Sequence, residues 1–372
     1  MGVGGTPRAA ISFGSVKESR RHSGRAGLPD SDRRCLTALM LAALALLSSS
    51  CSSGSPSPSG PIATRPAGAS GAGATTQPTP ALPAALDLAQ TGATKIDASP
   101  GPDFIILGAS YAFVTNVGKG IGRFDLRTGA VVDSLEIPGT SCEGLDVGFG
   151  SVWSATCSPE LARIDETTGR VTLIDLPDRG WDTESSVGAG EGAIWLNVGQ
   201  ANRTLVRVSP TTNAVTGTFP MPTGATAVRA GLGAIWITVP LKNMLLRINP
   251  GDGTVAAQIP VGGGPRFLAL GGGAVWVMNQ LDGTISRVDP STNAVVATID
   301  FGERIRGGDI AVGGGSVWVH GSTTLLARID PATNTITKRY GPQVGSGGVA
   351  ANDDAVWITA HDVKTIWRLP VR

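Results

Sequence analysis

The chain has 372 residues, a formal net charge of +1 and only 16% charged side chains. That balance leaves no electrostatic footprint for a nucleic-acid partner, and none is expected. With 52 glycines and few of the lysines and glutamates that fill helices, the composition points to an all-β chain of short strands and tight turns.

Taken in order, residues 1–50 read as a leader. A basic stretch carrying Arg20, Arg21, Arg25, Arg33 and Arg34 precedes an apolar run from Leu36 to Leu47. That run is too short to span a bilayer as a helix of roughly 20 residues. A basic flank, a short apolar core and small residues after it form the pattern of a secretory signal. Ser48-Ser-Ser-Cys51 resembles the lipobox of bacterial lipoproteins, which implies lipidation of Cys51; the alternative is a plainly cleaved signal with an incidental cysteine. Asp32-Arg33-Arg34-Cys35-Leu36-Thr37 also resembles a twin-arginine export signal. Residues 51–92 are dominated by Ser, Pro, Gly, Ala and Thr. Such a segment buries too little apolar surface to offset the entropy of ordering, so an unstructured tether is expected.

From residue 93 to 372 one unit repeats. Its marker is an aromatic residue after a small-residue turn: Phe113, Trp153, Trp195, Trp236, Trp276, Trp318 and Trp357, spaced 40, 42, 41, 40, 42 and 39 residues apart. Each unit reads as four short strands. An apolar first strand such as Phe267–Leu270 is followed by a Gly-rich turn and a Val-Trp-Val-type strand. A third strand carries Arg-[Ile/Val]-[Asp/Asn], and a turn with Gly or Asn leads to an alternating fourth strand such as Val295–Ile299. First and second strands are apolar on both faces, as in sheets packed between two neighbours. Four strands per period of about 40 residues is the pattern of propeller blades. The last unit ends at its third strand, and Ala93-Thr-Lys-Ile-Asp97 has the pattern of a missing fourth. The expected fold is a seven-bladed β-propeller whose N-terminal strand closes the last blade and removes the open edges.

Phe113-Val-Thr-Asn116 with Gly122-Arg-Phe-Asp125 resembles the YVTN-type propeller repeat. The Gly-x-[Val/Ile]-Trp and Arg-[Ile/Val]-Asp-Pro-x-Thr-Asn units resemble the streptogramin lyase (virginiamycin B lyase) superfamily. This likeness covers about residues 93–372 and implies a propeller. For activity it implies a lyase or hydrolase using His and Glu residues with a divalent metal such as magnesium on one face. The lyase blade places Glu three residues after the repeat aromatic, where this chain has Asn116, Thr156, Val198, Val239, Asn279, Gly321 and Ala360. Outside the leader's His22, the imidazoles are His320 and His361.

Residues that differ between units are the candidates for function. Glu143, Trp181, Asp182, Arg229, Arg266, Arg306 and Asp309 fall where loops around the central channel are expected, and define the ligand face. Asp103, Glu184, Asn279, Glu303, Arg304 and Asp362 fall near them. His320 and His361, with Asp309 or Asp362, form an acid–base or metal cluster in the catalytic alternative; in the plainer one each is a loop histidine bonded to backbone. No metal site is assigned otherwise. Arg229 either points an anion-binding guanidinium into the channel or pairs with Asp146, its equivalent two blades earlier. One Arg per blade (Arg123, Arg163, Arg207, Arg247, Arg287, Arg328, Arg368), usually two residues before Asp or Asn, is expected to be structural, its stem covering the sheet flank and its head pairing locally, and the repeat Trp residues are expected to be core. Cys142 and Cys157 flank the first hairpin of the second blade and are placed opposite each other, which predicts a disulfide in an exported protein.

The expectation is therefore an extracytoplasmic, membrane-tethered monomer (secreted if Cys51 is not lipidated). It binds a protein, glycan or small ligand through its loop face, with the metal-dependent lyase as the alternative.

Overall fold

The computed structural model describes residues 81–372, apart from 119, 139, 140, 181–183, 185, 322, 343, 344 and 372 and the side chains of 141 and 143. Residues 1–80, which hold the expected leader, Cys51 and most of the tether, lie outside the described residues. So do Trp181 and Asp182, and the side chain of Glu143.

Seven blades, each built on four antiparallel strands, form a ring. The innermost strands are Ile105–Leu107, Ser141–Gly148, Val187–Gly190, Val228–Gly231, Pro265–Gly271, Ile310–Gly313 and Val349–Ala351. Each packs against the next, and the seventh against the first. Thr94–Asp97 pairs with Thr365–Pro370 as the outer strand of the seventh blade, with Lys95 opposite Trp367. Closure by the N-terminal strand is as expected from the repeat count.

The repeated residues hold blade to blade. Each Trp lies opposite its blade's Arg on the third strand, as in Trp195–Arg207, Trp236–Arg247 and Trp276–Arg287. The guanidinium stacks over the indole at 5.1 Å from the ring centre for Arg287 and 5.6 Å for Arg247, a cation–π contact between a half-buried guanidinium and a buried indole. Its Nη1 then crosses to the next blade. Arg247 donates to the Pro290 carbonyl and Asn293 Oδ1, Arg287 to the Pro331 carbonyl and Asn334 Oδ1, and Arg163 to the Pro210 carbonyl and Asn213 Oδ1. These Asn residues sit at φ of 55°, a left-handed position that Asn tolerates. One residue thus closes its own hairpin and accepts its neighbour's Arg. The Arg heads do both: Arg123 closes on Asp133, Arg163 on Ser151, Arg207 on Thr216 and Arg328 on Ser316 within their own blades, and the Nη1 bonds of Arg163, Arg247 and Arg287 add a bridge to the next blade that local pairing does not anticipate.

The Gly that begins each turn has a second task. Gly190 offers its carbonyl to the Trp195 indole N–H at 3.2 Å, and a Cβ there would stand 2.5 Å from the Ala230 oxygen of the next blade. Five blades share this indole bond. In the seventh, Asn352-Asp-Asp replaces the Gly turn with one in which Asn352 Oδ1 accepts two backbone N–H groups. There the Trp357 indole nitrogen is buried without a partner.

Two expectations are revised. The expected tether runs to residue 92, yet Ala85–Asp87 forms a strand parallel to the outer strand of the sixth blade, giving it five strands. A one-turn 3-10 helix, Leu88–Gln90, follows and buries Leu88 completely beside Trp318 and Tyr340. Leu82 also packs close to Gly302, so apolar side chains and the ladder to the sixth blade together hold this stretch. The Cys142–Cys157 disulfide is present, but not between facing residues. A bulge between Ser141 and Leu145 shifts the register so that Ser141 faces Thr156. The cysteine Cα atoms still lie 4.9 Å apart, inside the range a disulfide accepts.

Candidate functional site

The channel is built from the inner strands, so its chemistry follows from one register. The residues facing the repeat aromatics across the first hairpins are Ile106, Asp146, Gly188, Arg229, Ala269, Ala311 and Ala350. Small residues at most of these positions leave room, and the two charged ones face into it. The resulting cavity has a volume of about 250 Å³ and is lined by Asp146, Arg229 and Asp309 together with aliphatic side chains.

Arg229 is held by one nitrogen. Its Nη1 donates to Ser186 Oγ and to the carbonyls of Val187 and Val228, each at 3.0 Å. Asp146 uses both oxygens on backbone, Oδ1 accepting from Val147 N–H at 2.9 Å and Oδ2 from Ala189 N–H at 2.8 Å. Asp309 accepts from Ile310 N–H at 2.8 Å. The two acids act on Arg229 through the field, and neither accepts a hydrogen bond from it. Burial raises the Asp146 carboxyl above its ordinary range, with Arg229 opposing. Burial likewise pushes Asp309 up to about 6, opposed by Arg229 and the backbone N–H groups and assisted by repulsion from Glu184. Desolvation disfavours the charged form of each acid, and the single guanidinium offsets it only in part.

At the loop end the channel is bridged. Phe104 of the first blade meets Phe267 of the fifth, ring centres 5.6 Å apart. Arg266 stacks over Phe267 at 5.5 Å and reaches Glu184, in the loop before the third blade, with Nη2–Oε2 at 2.6 Å. Both Phe residues sit two positions before the residue facing the aromatic, where other blades carry Gly, Ser, Ala or Asp. That irregularity is the signal by which the cap was legible, and the sequence reading missed it. The wall residues at the loop end, including Ile105, Val187, Val228, Ile310 and Val349, are buried. Those toward the hairpin turns, including Leu107, Ala189, Ala230, Leu270 and Val312, are half-buried. The burial gradient points the cavity's opening to the hairpin-turn face.

The predicted ligand face is thus divided. Arg266 lies in the cap, Arg229 and Asp309 below it in the channel, and Arg306 is exposed on the 301–309 loop. Glu303 pairs with Arg339 at 3.2 Å and accepts from Thr324. Asn279 is buried and donates to Thr284 and Ser286. Two exposed apolar residues went unread: Leu241 at 83% and Leu281 at 61% exposure. They occupy equivalent second-to-third-strand loops of adjacent blades, on the loop face.

The histidines do not assemble. His320 is fully buried, its Nε2 3.1 Å from the Thr359 carbonyl and its Nδ1 unpartnered. Burial lowers it to about 4. His361 is exposed, with Nδ1 3.2 Å from Asp362 Oδ1. Among the described residues no group of three or more His, Cys, Asp or Glu side chains is disposed to hold a metal ion. The donor set that a divalent metal at a lyase-type site requires is therefore not met by these residues.

Compared with known proteins, the chain matches no family model and no curated protein.

Proposed function

We propose that the chain is an exported binding propeller that docks a protein partner on its loop face. The observation that carries this reading is the bridged channel mouth. Arg266–Glu184 and Phe104–Phe267 make contacts across the loop end of the channel, and Leu241 and Leu281 stand exposed on the same face. Large exposed apolar side chains on adjacent loops, rimmed by ion-paired polar groups, suit a macromolecular partner better than a small one. The Cys142–Cys157 disulfide supports an extracytoplasmic setting. Lipidation at Cys51, the tether, and kinship with YVTN-type and streptogramin lyase propellers belong to the same proposal and rest on sequence pattern alone.

The test is photo-crosslinking in the native host, with the reactive group at Leu281 or, as a control, at Val296 on an outer strand. A protein crosslinked only from Leu281, and bound in purified form about tenfold more weakly by the Leu241→Asp/Leu281→Asp double variant, is the expected result. Equal recovery from both positions, or affinity unchanged in the double variant, would overturn the reading.

A further inference from the structure

The channel below the cap belongs to neither the loop face nor the repeat, and it holds unspent donor capacity. The Arg229 guanidinium is anchored through Nη1 alone. Its Nε and Nη2, the parallel pair that forms one edge of the fork, meet no acceptor among the described residues. The carboxylates are in the opposite state: both Asp146 oxygens and one Asp309 oxygen already accept backbone N–H groups. A cation entering this space would have to compete for oxygens in use, beside a fixed positive charge. A molecule that brings acceptor oxygens meets a ready pair of donors, and the planar fork matches a carboxylate in bidentate geometry.

The shape narrows the class. The Phe104–Phe267 and Arg266–Glu184 contacts cross the cavity's loop end, burial falls along the inner strands toward the hairpin turns, and the wall on that side is aliphatic, with Leu107, Leu270 and Val312. A polar head with a short apolar tail fits that gradient, and about 250 Å³ limits the tail to a few carbons. We propose that the channel binds a small aliphatic monocarboxylate head-first, its carboxylate on the Nε–Nη2 edge of Arg229 and its tail along Leu107, Leu270 and Val312. The site lies at the opposite end of the channel from the docking face and stands independently of it.

Charge balance adds a condition. With both acids ionised the lumen carries one net negative charge before the ligand arrives, so an anion enters more readily once Asp309 takes a proton. The charged groups that act on Asp309 are Arg229 and Glu184, with Asp146 across the lumen. The His320 backbone N–H bonds the Asp309 carbonyl oxygen while the imidazole faces Thr359, and the seventh blade contributes the Val349 N–H. The overall step is ligand anion plus up to one proton bound, with no bond broken. Occupancy should rise as pH falls through about 6.

Titration of the full chain with carbon-13-carboxyl-labelled butanoate, followed by NMR at pH 7.5 and 5.5, tests this. Expected are saturable one-to-one binding, tighter at pH 5.5, and a loss of about tenfold or more in Arg229→Lys, which keeps the charge and removes the fork. Asp309→Asn should bind at pH 7.5 as the parent does at pH 5.5, a readout available even if the Arg229 variant misfolds. No saturable binding at either pH, or binding unchanged by Arg229→Lys in folded protein, overturns the site. Displacement of butanoate by an acetylated alanine dipeptide with a free C-terminus would overturn the assignment to a free acid in favour of a protein tail.

Discussion

Asp309 and His320 are buried on the same blade, and their titrations oppose each other. Asp309 has a folded-state pKa of about 6 against an ordinary 3.8. Its contribution to stability is full below pH 4 and is lost as pH rises through 6. His320 is held near 4 against an ordinary 6.5; its contribution is full above pH 6.5 and is lost as pH falls through 4. Each shift of two units or a little more corresponds to about 3 kcal/mol, at roughly 1.4 kcal/mol per unit. Between pH 4 and 6 the two slopes cancel, so these groups leave the parent nearly flat. Asp309→Asn removes the descending arm, and stability relative to the parent should climb by about 3 kcal/mol from pH 4 to 6.5. His320→Gln, which retains a donor for the Thr359 carbonyl, removes the ascending arm and should give the mirror-image trend. Urea unfolding followed by tryptophan fluorescence at half-unit pH intervals measures both, since every repeat Trp is buried. If both variants track the parent in parallel from pH 4 to 6.5, neither group is held away from its ordinary pKa and the reasoning fails.

Three further outcomes test the architecture. Replacing Cys142 and Cys157 by Ser should lower stability by about 3 kcal/mol on a chain-entropy estimate for a loop of 15 residues, and reduction of the parent by dithiothreitol should reproduce the loss in the same urea assay. Leu88→Ala should lower the urea midpoint in proportion to about 2–4 kcal/mol if the N-terminal segment is part of the core; no change would return residues 81–92 to the tether. Asn334→Gly keeps the left-handed turn and deletes the acceptor for Arg287, so about 1–2 kcal/mol should be lost, and pairing it with Arg287→Met in a double-mutant cycle should show the two losses to be non-additive.

The blade count and ring closure were legible because they rest on spacing, and spacing survives substitution: Phe113 takes the Trp position and the register holds. The inter-blade role of the Arg series was less legible. Sequence places Arg287 two residues before Asp289, which suggests a local partner, whereas the acceptors, Pro331 and Asn334, lie one full repeat away. The disulfide was legible although its register was not, since a bulge alters which residues face each other without parting the strands. The Phe104–Phe267 cap was half legible: each Phe breaks its blade's pattern of small residues, but their pairing follows only from the ring, which brings two non-adjacent blades together across the axis.

Redundancy sets the repeat apart from the channel. A ring of seven copies is held by contacts each blade makes with the next, and the clasp of Gly carbonyl, indole, guanidinium and turn Asn tolerates the loss of a member, as the unpartnered Trp357 nitrogen illustrates. The channel has no such reserve. It has one guanidinium facing the lumen among the described residues, and the neighbouring position is Gly188, where a Cβ would come within 3.1 Å of the Arg229 Cα and the Ala230 nitrogen. Alanine at 188 would press on the strand that aims Arg229 without touching its hydrogen bonds directly. Its effect should therefore be larger on butanoate binding than on stability, and that ratio separates a channel built to hold a ligand from one merely left over by closing the ring.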